Sequence, residues 1–202
     1  MKKLLIGSST IAALAMVPTI ALAHPGGLDH IHGLTDGIMH PLTGLDHVLA
    51  MVAVGLLAAQ LGGRALWITP LSFMAMLVVG ALLAMVQIAV PLVEVGIAFS
   101  IISLGLVLLF GVGLPTVGAM ALVGFFAIFH GYAHGLEVPN TASALSYGVG
   151  FVFATGLLHL AGITLGLFAR RAAVSLRPGL FRAAGATFTF AGIALLIGAF
   201  SS

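Results

Sequence analysis

The sequence predicts an all-α protein: a polytopic helical bundle in a membrane, with six transmembrane helices after a cleaved N-terminal signal peptide. Two observations lead to this prediction. Of the 202 residues, 61% are hydrophobic and only 6% are charged, whereas a soluble domain is about 45–50% apolar and about 25% charged. Apolar runs of roughly 20 residues, enough for a helix to cross about 30 Å of hydrocarbon, also recur along the chain.

The same composition excludes several classes of protein. With 7 basic and 5 acidic residues, the chain cannot cover a water-facing surface, which excludes a soluble enzyme, a nucleic-acid-binding protein and a disordered chain. The absence of cysteine excludes disulfides, thiolate metal sites and cysteine nucleophiles. Histidine is plentiful, however: the 8 histidines outnumber the 5 carboxylates, and this imbalance is the first indication of function.

Residues 1–23 are typical of a secretory signal peptide. Two lysines form a basic start, an apolar stretch follows, and Ala21-Leu22-Ala23 supplies the small residues of a cleavage site. Cleavage there makes His24 the first residue of the mature chain, so that residues 24–202 form one transmembrane domain. The alternative is that the leader stays uncleaved as a further membrane helix.

Six apolar stretches have the length of a spanning helix, and glycine and proline mark the breaks between them. They cover residues 42–61, 66–89, 93–111, 115–134, 143–169 and 181–200. If the mature N-terminus lies outside, all five arginines fall on the cytoplasmic side, in agreement with the positive-inside rule. We therefore expect a cytoplasmic (inner) membrane protein with both termini on the outer, periplasmic side.

A first polar cluster opens the first mature span. Its residues are His40-Pro41-Leu42-Thr43-Gly44-Leu45-Asp46-His47. Proline is tolerated in the first turn of a helix, so Pro41 predicts that the helix begins there. His40 and His47 are then two turns apart, which places both rings on one helical face with Asp46 beside them. Met51 follows one turn deeper and is a candidate accessory ligand.

A second polar cluster closes the fourth span, in the stretch FHGYAHGLE (129–137). His130, His134 and Glu137 stand at positions i, i+4 and i+7, so they share one helical stripe if the helix extends that far. Imidazole and carboxylate suit first-row divalent metals where no thiolate is present, and ionisable groups at membrane depth mark ion or substrate paths. Because both clusters are predicted at the outer side, they predict one shared metal site. The alternative is a set of ordinary interfacial polar residues, since an HxxxH pair alone is a weak signal.

The two stretches together resemble the HupE/UreJ family of nickel permeases, small membrane proteins associated with hydrogenase and urease maturation. HPLTGLDHVLAMVAVG (40–55) fits the family pattern HP-x-x-G-x-DH-x-x-x-M-x-x-x-G, and the second stretch fits FHG-x-x-HG-x-E. The leader, the His-Pro-Gly mature start and the six spans also fit, so the resemblance covers essentially the whole chain. It implies a permease, not an enzyme, with Ni²⁺ as transported substrate and no prosthetic group. The implied metal ligands are His40, Asp46, His47, His130, His134 and Glu137.

Further residues are candidate accessory ligands. His24, His30 and His32 lie in the mature N-terminal stretch, which either captures metal outside the membrane or is a plain polar leader. Glu94 opens the third span and either completes the coordination shell or faces water. His159 lies well inside the fifth span and is either a second stop for the metal, a proton acceptor or a hydrogen-bonded packing residue, the last being the most usual case.

Two rival functions stay open. One is an intramembrane metalloenzyme with an HxxxH metal centre, and the other is a metal sensor or scaffold. Co²⁺ is not distinguished from Ni²⁺ by these ligand types. The chain has no G-x-x-x-x-G-K-[ST] motif, so it is not expected to couple ATP directly. The expected partners are the metal ion and the lipid bilayer, and a homo-oligomer is a further alternative.

Overall fold

The computed structural model describes residues 33–138 and 144–201, and the regular structure of these residues is entirely helical. Seven helices follow one another in this part of the chain: α1 (Gly33–Thr43), α2 (Leu45–Leu61), α3 (Ala65–Met85), α4 (Val93–Phe110), α5 (Thr116–Glu137), α6 (Ala144–Arg171) and α7 (Arg177–Ala199). The helices α3 to α7 are each long and apolar enough to cross a membrane, and the bent pair of α1 and α2 makes a sixth if it counts as one span. The predicted helical membrane bundle is confirmed. The predicted signal peptide, residues 1–23, lies outside the described residues.

The start of the bundle differs from the prediction. Instead of one helix beginning at Pro41, α1 ends at Thr43 and α2 follows after a bend of 78°. Gly44, at the bend, has extended backbone with φ −76° and ψ 112°. The Thr43 hydroxyl and the Gly44 amide both donate to the carbonyl of His40, which satisfies the end of α1. The prediction that His40 and His47 share one helical face is therefore wrong, because they lie on two helices.

α2 is the central helix and contacts each of the other six. More than half of its 17 residues are buried, and they lie on every face of the helix. A helix that is apolar all round is expected inside a bundle, where it has no polar face to turn to water. Around it, α3 packs mainly on α5, α4 on α7, and α1 and α2 on α6. Large apolar side chains such as Trp67, Phe125, Phe153 and Phe190 are exposed on the outside of the bundle, as expected of a surface that faces lipid.

Glycines set the register between α2 and α6. A Cβ on Gly162 would collide with the backbone of Val52 and Gly55, and a Cβ on Gly166 would collide with Ala59. Small residues allow such close approach of helices in a membrane. Because later residues of α2 meet later residues of α6, the two helices run parallel and their C-terminal ends lie at the same end of the bundle.

Two helix ends also differ from the predicted spans. α3 ends at Met85 rather than near residue 89, because Gln87 has a left-handed backbone with φ 60°, a conformation that cannot continue a right-handed helix. α5 continues past residue 134 to Glu137. This last turn is what keeps Glu137 on the same helix as the histidines before it.

Charges collect at the two ends of the bundle. One end, called the arginine end, carries the α2–α3 and α6–α7 connections with Arg64, Arg170, Arg171, Arg177 and Arg182. The opposite end, called the histidine end, carries Asp46 in the first turn of α2, Glu94 in the first turn of α4 and Glu137 at the end of α5.

Candidate metal centre

Three ligand groups meet at the histidine end of the bundle: the imidazoles of His40 and His134 and the carboxylate of Glu137. One ligand atom from each lies within 4.8 Å of the other two. Glu137 Oε2 is 2.9 Å from His40 Nε2 and 3.1 Å from His134 Nδ1. The side chains of His40 and Glu137 are 39% and 53% exposed, and that of His134 is 14% exposed. This group, called the outer triad, is therefore accessible from outside the protein.

Two further histidines continue from the outer triad into the core. His47, in the first turn of α2, and His130, in α5, are completely buried. His47 Nδ1 is 2.9 Å from His134 Nε2 and 3.4 Å from His130 Nδ1. His47 and His130, called the inner pair, thus form with the outer triad a file of imidazoles that leads from the surface to the interior.

The contacts of the file agree with one arrangement of protons on neutral imidazoles beside an ionised Glu137. The carboxylate accepts a hydrogen bond from His134 Nδ1–H, so His134 Nε2 in turn accepts one from His47 Nδ1–H. His47 Nε2 then carries an unprotonated lone pair. This atom is buried and has no hydrogen-bond partner among the described residues. A neutral imidazole nitrogen in this state is the form that binds metals.

Ser100 of α4 holds the far side of His130. Its hydroxyl donates to the carbonyl of Ile97 at 2.6 Å, so it accepts the hydrogen bond from His130 Nε2–H at 2.9 Å. A hydrogen bond to one ring nitrogen fixes the tautomer and orientation of the other. Sequence reasoning did not single out Ser100, because a serine within an apolar span carries no local signal of which helix it faces.

Aromatic side chains of α6 cover one side of the file. The ring centroid of Phe151 is 4.5 Å from that of His134 and 5.0 Å from that of His47. The Tyr147 ring lies 6.1 Å from His40. These rings restrict the orientations of three imidazoles on the side of α6. Neither aromatic residue was predicted, because nothing in the sequence distinguishes them from packing residues.

Not every predicted metal ligand belongs to the outer triad or the inner pair. Asp46 is half-buried, but among the described residues the ligand atoms that meet within 4.8 Å belong to the outer triad. Glu94 is exposed. Met51 is completely buried, one turn after His47 on α2, and His159 is buried on a different helix, α6. The candidate accessory ligands that lie outside the described residues are His24, His30 and His32.

Fold and centre together define a polytopic helical membrane protein whose core carries a file of histidines behind a surface triad of two histidines and a carboxylate. Comparison with known proteins identifies its family: the chain belongs to the HupE/UreJ family, whose sequence profile, described as HupE / UreJ protein, matches residues 12–195. Protein HupE of Rhizobium leguminosarum bv. viciae is 44% identical to it over 196 residues, which cover 95% of this chain and 97% of that protein. The resemblance noted in the sequence is thereby confirmed. No solved structure matches the chain.

Proposed function

We propose that the protein is a secondary permease that imports a divalent transition metal ion, Ni²⁺ or its neighbour Co²⁺, across the cytoplasmic membrane to supply hydrogenase or urease maturation. The observation that carries this proposal is the file of imidazoles from the outer triad to the inner pair. A surface site alone would suit a metal sensor, whereas ligands that continue into the core of a membrane bundle suit an ion path. Membership of the HupE/UreJ family, which the sequence resemblance links to nickel permeases, supports the same function.

The outer triad is the proposed capture site. Two imidazoles and one carboxylate suit Ni²⁺ and Co²⁺ better than Ca²⁺ or Mg²⁺, which prefer oxygen ligands. Because Glu137 and His40 are partly exposed, an incoming ion can exchange its water ligands for protein ligands one at a time. Asp46, half-buried at the start of α2, is proposed as a further ligand or as a negative charge that attracts the cation.

The inner pair is the proposed next position. His47 lies within contact distance of His134, and its Nε2 has no protein partner among the described residues. The ligands come from three helices, α1, α2 and α5, so a small relative movement of one helix changes the set that holds the ion. Conduction requires binding that is strong enough for the ion to enter and weak enough for it to leave. We therefore expect moderate affinity at this centre.

The distribution of charge supports an orientation with the histidine end outside. The arginines at the other end then lie in the cytoplasm, in agreement with the positive-inside rule. In this proposed orientation the outer triad faces the periplasm, in line with the predicted topology with both termini outside. Metal import then runs from the histidine end to the arginine end.

The decisive experiment is uptake by the purified protein in vesicles that enclose a metal-sensitive dye. We expect Ni²⁺ to enter faster than into protein-free vesicles, Co²⁺ to compete with it, and Mg²⁺ not to compete. A folded protein that binds Ni²⁺ but carries none across the bilayer would contradict the proposal. That result would favour a metal sensor or an intramembrane metalloenzyme with an HxxxH centre. Conversion of a substrate by the metal-loaded protein would then distinguish the enzyme from the sensor.

A further inference from the structure

Beyond the inner pair, the core holds a second set of polar groups: Thr155 and His159 in α6 and Thr69 in α3. Each is at most 1% exposed. Both hydroxyl oxygens and both ring nitrogens of His159 lack a hydrogen-bond partner among the described residues. Buried polar groups are almost always satisfied by protein, water or an ion. Several unsatisfied groups in the core of a membrane bundle therefore need an explanation other than packing.

The register of the helices places this set deeper than the inner pair. Gly55, two turns beyond His47 on α2, packs against the backbone of His159. Because α2 and α6 run parallel, His159 is nearer than His47 to the arginine end. Thr155 precedes His159 by four residues, about 6 Å of helix axis, and lies on the same face of α6. The two side chains thus extend the polar file in the direction of transport.

Phe73 of α3 separates the two sets of polar groups. Its ring centroid is 5.8 Å from that of His130 and 5.3 Å from that of His159, and the ring is completely buried. Thr69 lies one turn before Phe73 on the same face of α3, nearer the arginine end because α3 begins there. Phe73 therefore stands between the second set of polar groups and the outer triad with the inner pair, which are together called the outer centre.

We propose that His159 forms a second, inner cation position on the transport path, lined by the hydroxyls of Thr155 and Thr69 and separated from the outer centre by the ring of Phe73. This inference rests on the proposed permease function and extends it. The ligand expected there is a divalent transition metal ion that keeps part of its water shell, because one imidazole and two hydroxyls do not fill a coordination sphere. Without a carboxylate the position binds weakly, which favours onward release.

A separate cavity lies at the arginine end of the bundle. It has a volume of about 340 Å³, and its lining includes Gln60 of α2 together with Arg170 and Arg177. The Gln60 carbonyl oxygen Oε1 is buried without a hydrogen-bond partner among the described residues. Because the guanidinium groups of this cavity are positively charged and act only as donors, they neither ligate nor attract a cation, and the cavity is not part of the proposed path.

The test compares uptake with binding in variants of the inner position. His159→Leu removes both ring nitrogens at similar volume, and Thr155→Val removes one hydroxyl at the same shape. We expect His159→Leu to lower Ni²⁺ uptake into vesicles by about tenfold or more, while the purified protein still binds Ni²⁺ at the outer centre with unchanged affinity. Thr155→Val should lower uptake by a smaller factor. The matched control is Thr164→Val on the same helix, whose exposed hydroxyl donates to the Leu160 carbonyl.

A packing role for His159 predicts a different result. Leucine would then relieve two unsatisfied nitrogens, so thermal stability would rise and uptake would stay unchanged. Unchanged uptake in both variants would overturn the inner position and leave the permease function standing. Loss of Ni²⁺ binding together with uptake in His159→Leu would also overturn it, because His159 would then support the outer centre. If His159→Leu does not fold, the uptake of Thr155→Val alone tests the inner position: lowered uptake supports it and unchanged uptake contradicts it. Failure of the unaltered protein to bind and carry Ni²⁺ would instead contradict the permease proposal.

Discussion

His47 and His134 are 87 positions apart in the chain, yet His47 Nδ1 and His134 Nε2 are 2.9 Å apart. This contact joins the two polar motifs of the sequence, the first divided between α1 and α2 and the second on α5. It also joins a partly exposed group of ligands to a completely buried one. An ion held at the outer triad is thus one contact away from the core of the bundle.

The first prediction concerns His47. His47→Ala removes the only described imidazole that contacts both His134 and His130, so the file is interrupted. We expect nickel accumulation in cells that lack other nickel importers to fall to the level of cells without the protein. Radiolabelled Ni²⁺ measures it, with both chains present at equal membrane levels. Thr187→Val, which removes an exposed hydroxyl bonded within α7, should accumulate nickel normally. Accumulation by His47→Ala at half the normal rate or more would contradict the proposal that transport requires the uninterrupted file of imidazoles.

The second prediction concerns the charge of the outer triad. Glu137→Gln keeps the size of the side chain and removes the negative charge that contacts both His40 and His134. We expect Ni²⁺ affinity of the purified protein to fall by about tenfold or more, measured by equilibrium dialysis. Asp36→Asn is the matched control, because Asp36 is an exposed carboxylate of α1 outside the triad. Equal losses in the two variants would show that Glu137 acts through the general surface charge and not as a ligand.

The third prediction is a dependence on pH. An imidazole binds metal only when its nitrogen is free of a proton, and an unperturbed imidazole titrates near pH 6.5. Protons therefore compete with the metal at His40, the more exposed imidazole of the outer triad, so uptake should fall as the external pH is lowered from about 7.5 to about 5.5 and be restored when it is raised again. Initial uptake rates at fixed internal pH give the profile. A thermal melt at each pH shows that the protein remains folded, and a flat profile would argue against His40 as a metal ligand.

The fourth prediction concerns Ser100. Ser100→Ala leaves His130 Nε2 buried without its partner, which costs about 1–3 kcal/mol, and it frees the ring to rotate. Loss of such a supporting hydrogen bond commonly costs about tenfold or more in metal affinity or activity. We therefore expect a lower Tm and slower Ni²⁺ uptake. Ser103→Ala, which removes a half-buried hydroxyl from the same helix, should change neither Tm nor uptake. If the two variants behave alike, Ser100 does not support the metal centre.

The sequence predicted the bundle and most of the helix positions because long apolar runs are a direct consequence of the thickness of a bilayer. It also predicted that His130, His134 and Glu137 share α5, since helical spacing depends on local geometry alone. It could not predict α1 as a separate helix. Eleven residues with several polar side chains carry no spanning signal, and the bend at Gly44 depends on how α1 packs against α6.

The positions of Phe73 and Ser100 were beyond sequence reasoning for a different reason. Each is an ordinary residue within an apolar span, and its role depends on which helix faces which. That arrangement is set by how the helices pack, α3 on α5 for Phe73 and α4 on α5 for Ser100, which no local pattern encodes. The assignment of Asp46 as a metal ligand, taken from the family resemblance, stays a prediction.

The last prediction tests the register of α2 and α6 with two glycines of one helix. In Gly162→Ala the new methyl group would meet the backbone of Val52 in α2, whereas at Gly148 nothing lies within 4 Å of the added Cβ. Overpacking of a close helix contact costs about 1–3 kcal/mol, while alanine for glycine on an open helical face is neutral or stabilises by up to about 1 kcal/mol. We expect a lower Tm and slower uptake for Gly162→Ala, because α2 carries His47, and an unchanged or higher Tm with normal uptake for Gly148→Ala. Thermal melts in detergent and vesicle uptake measure both. Equal Tm values for the two variants would mean that α2 and α6 do not pack in this register. The inference that His159 lies deeper than His47 would then have no support.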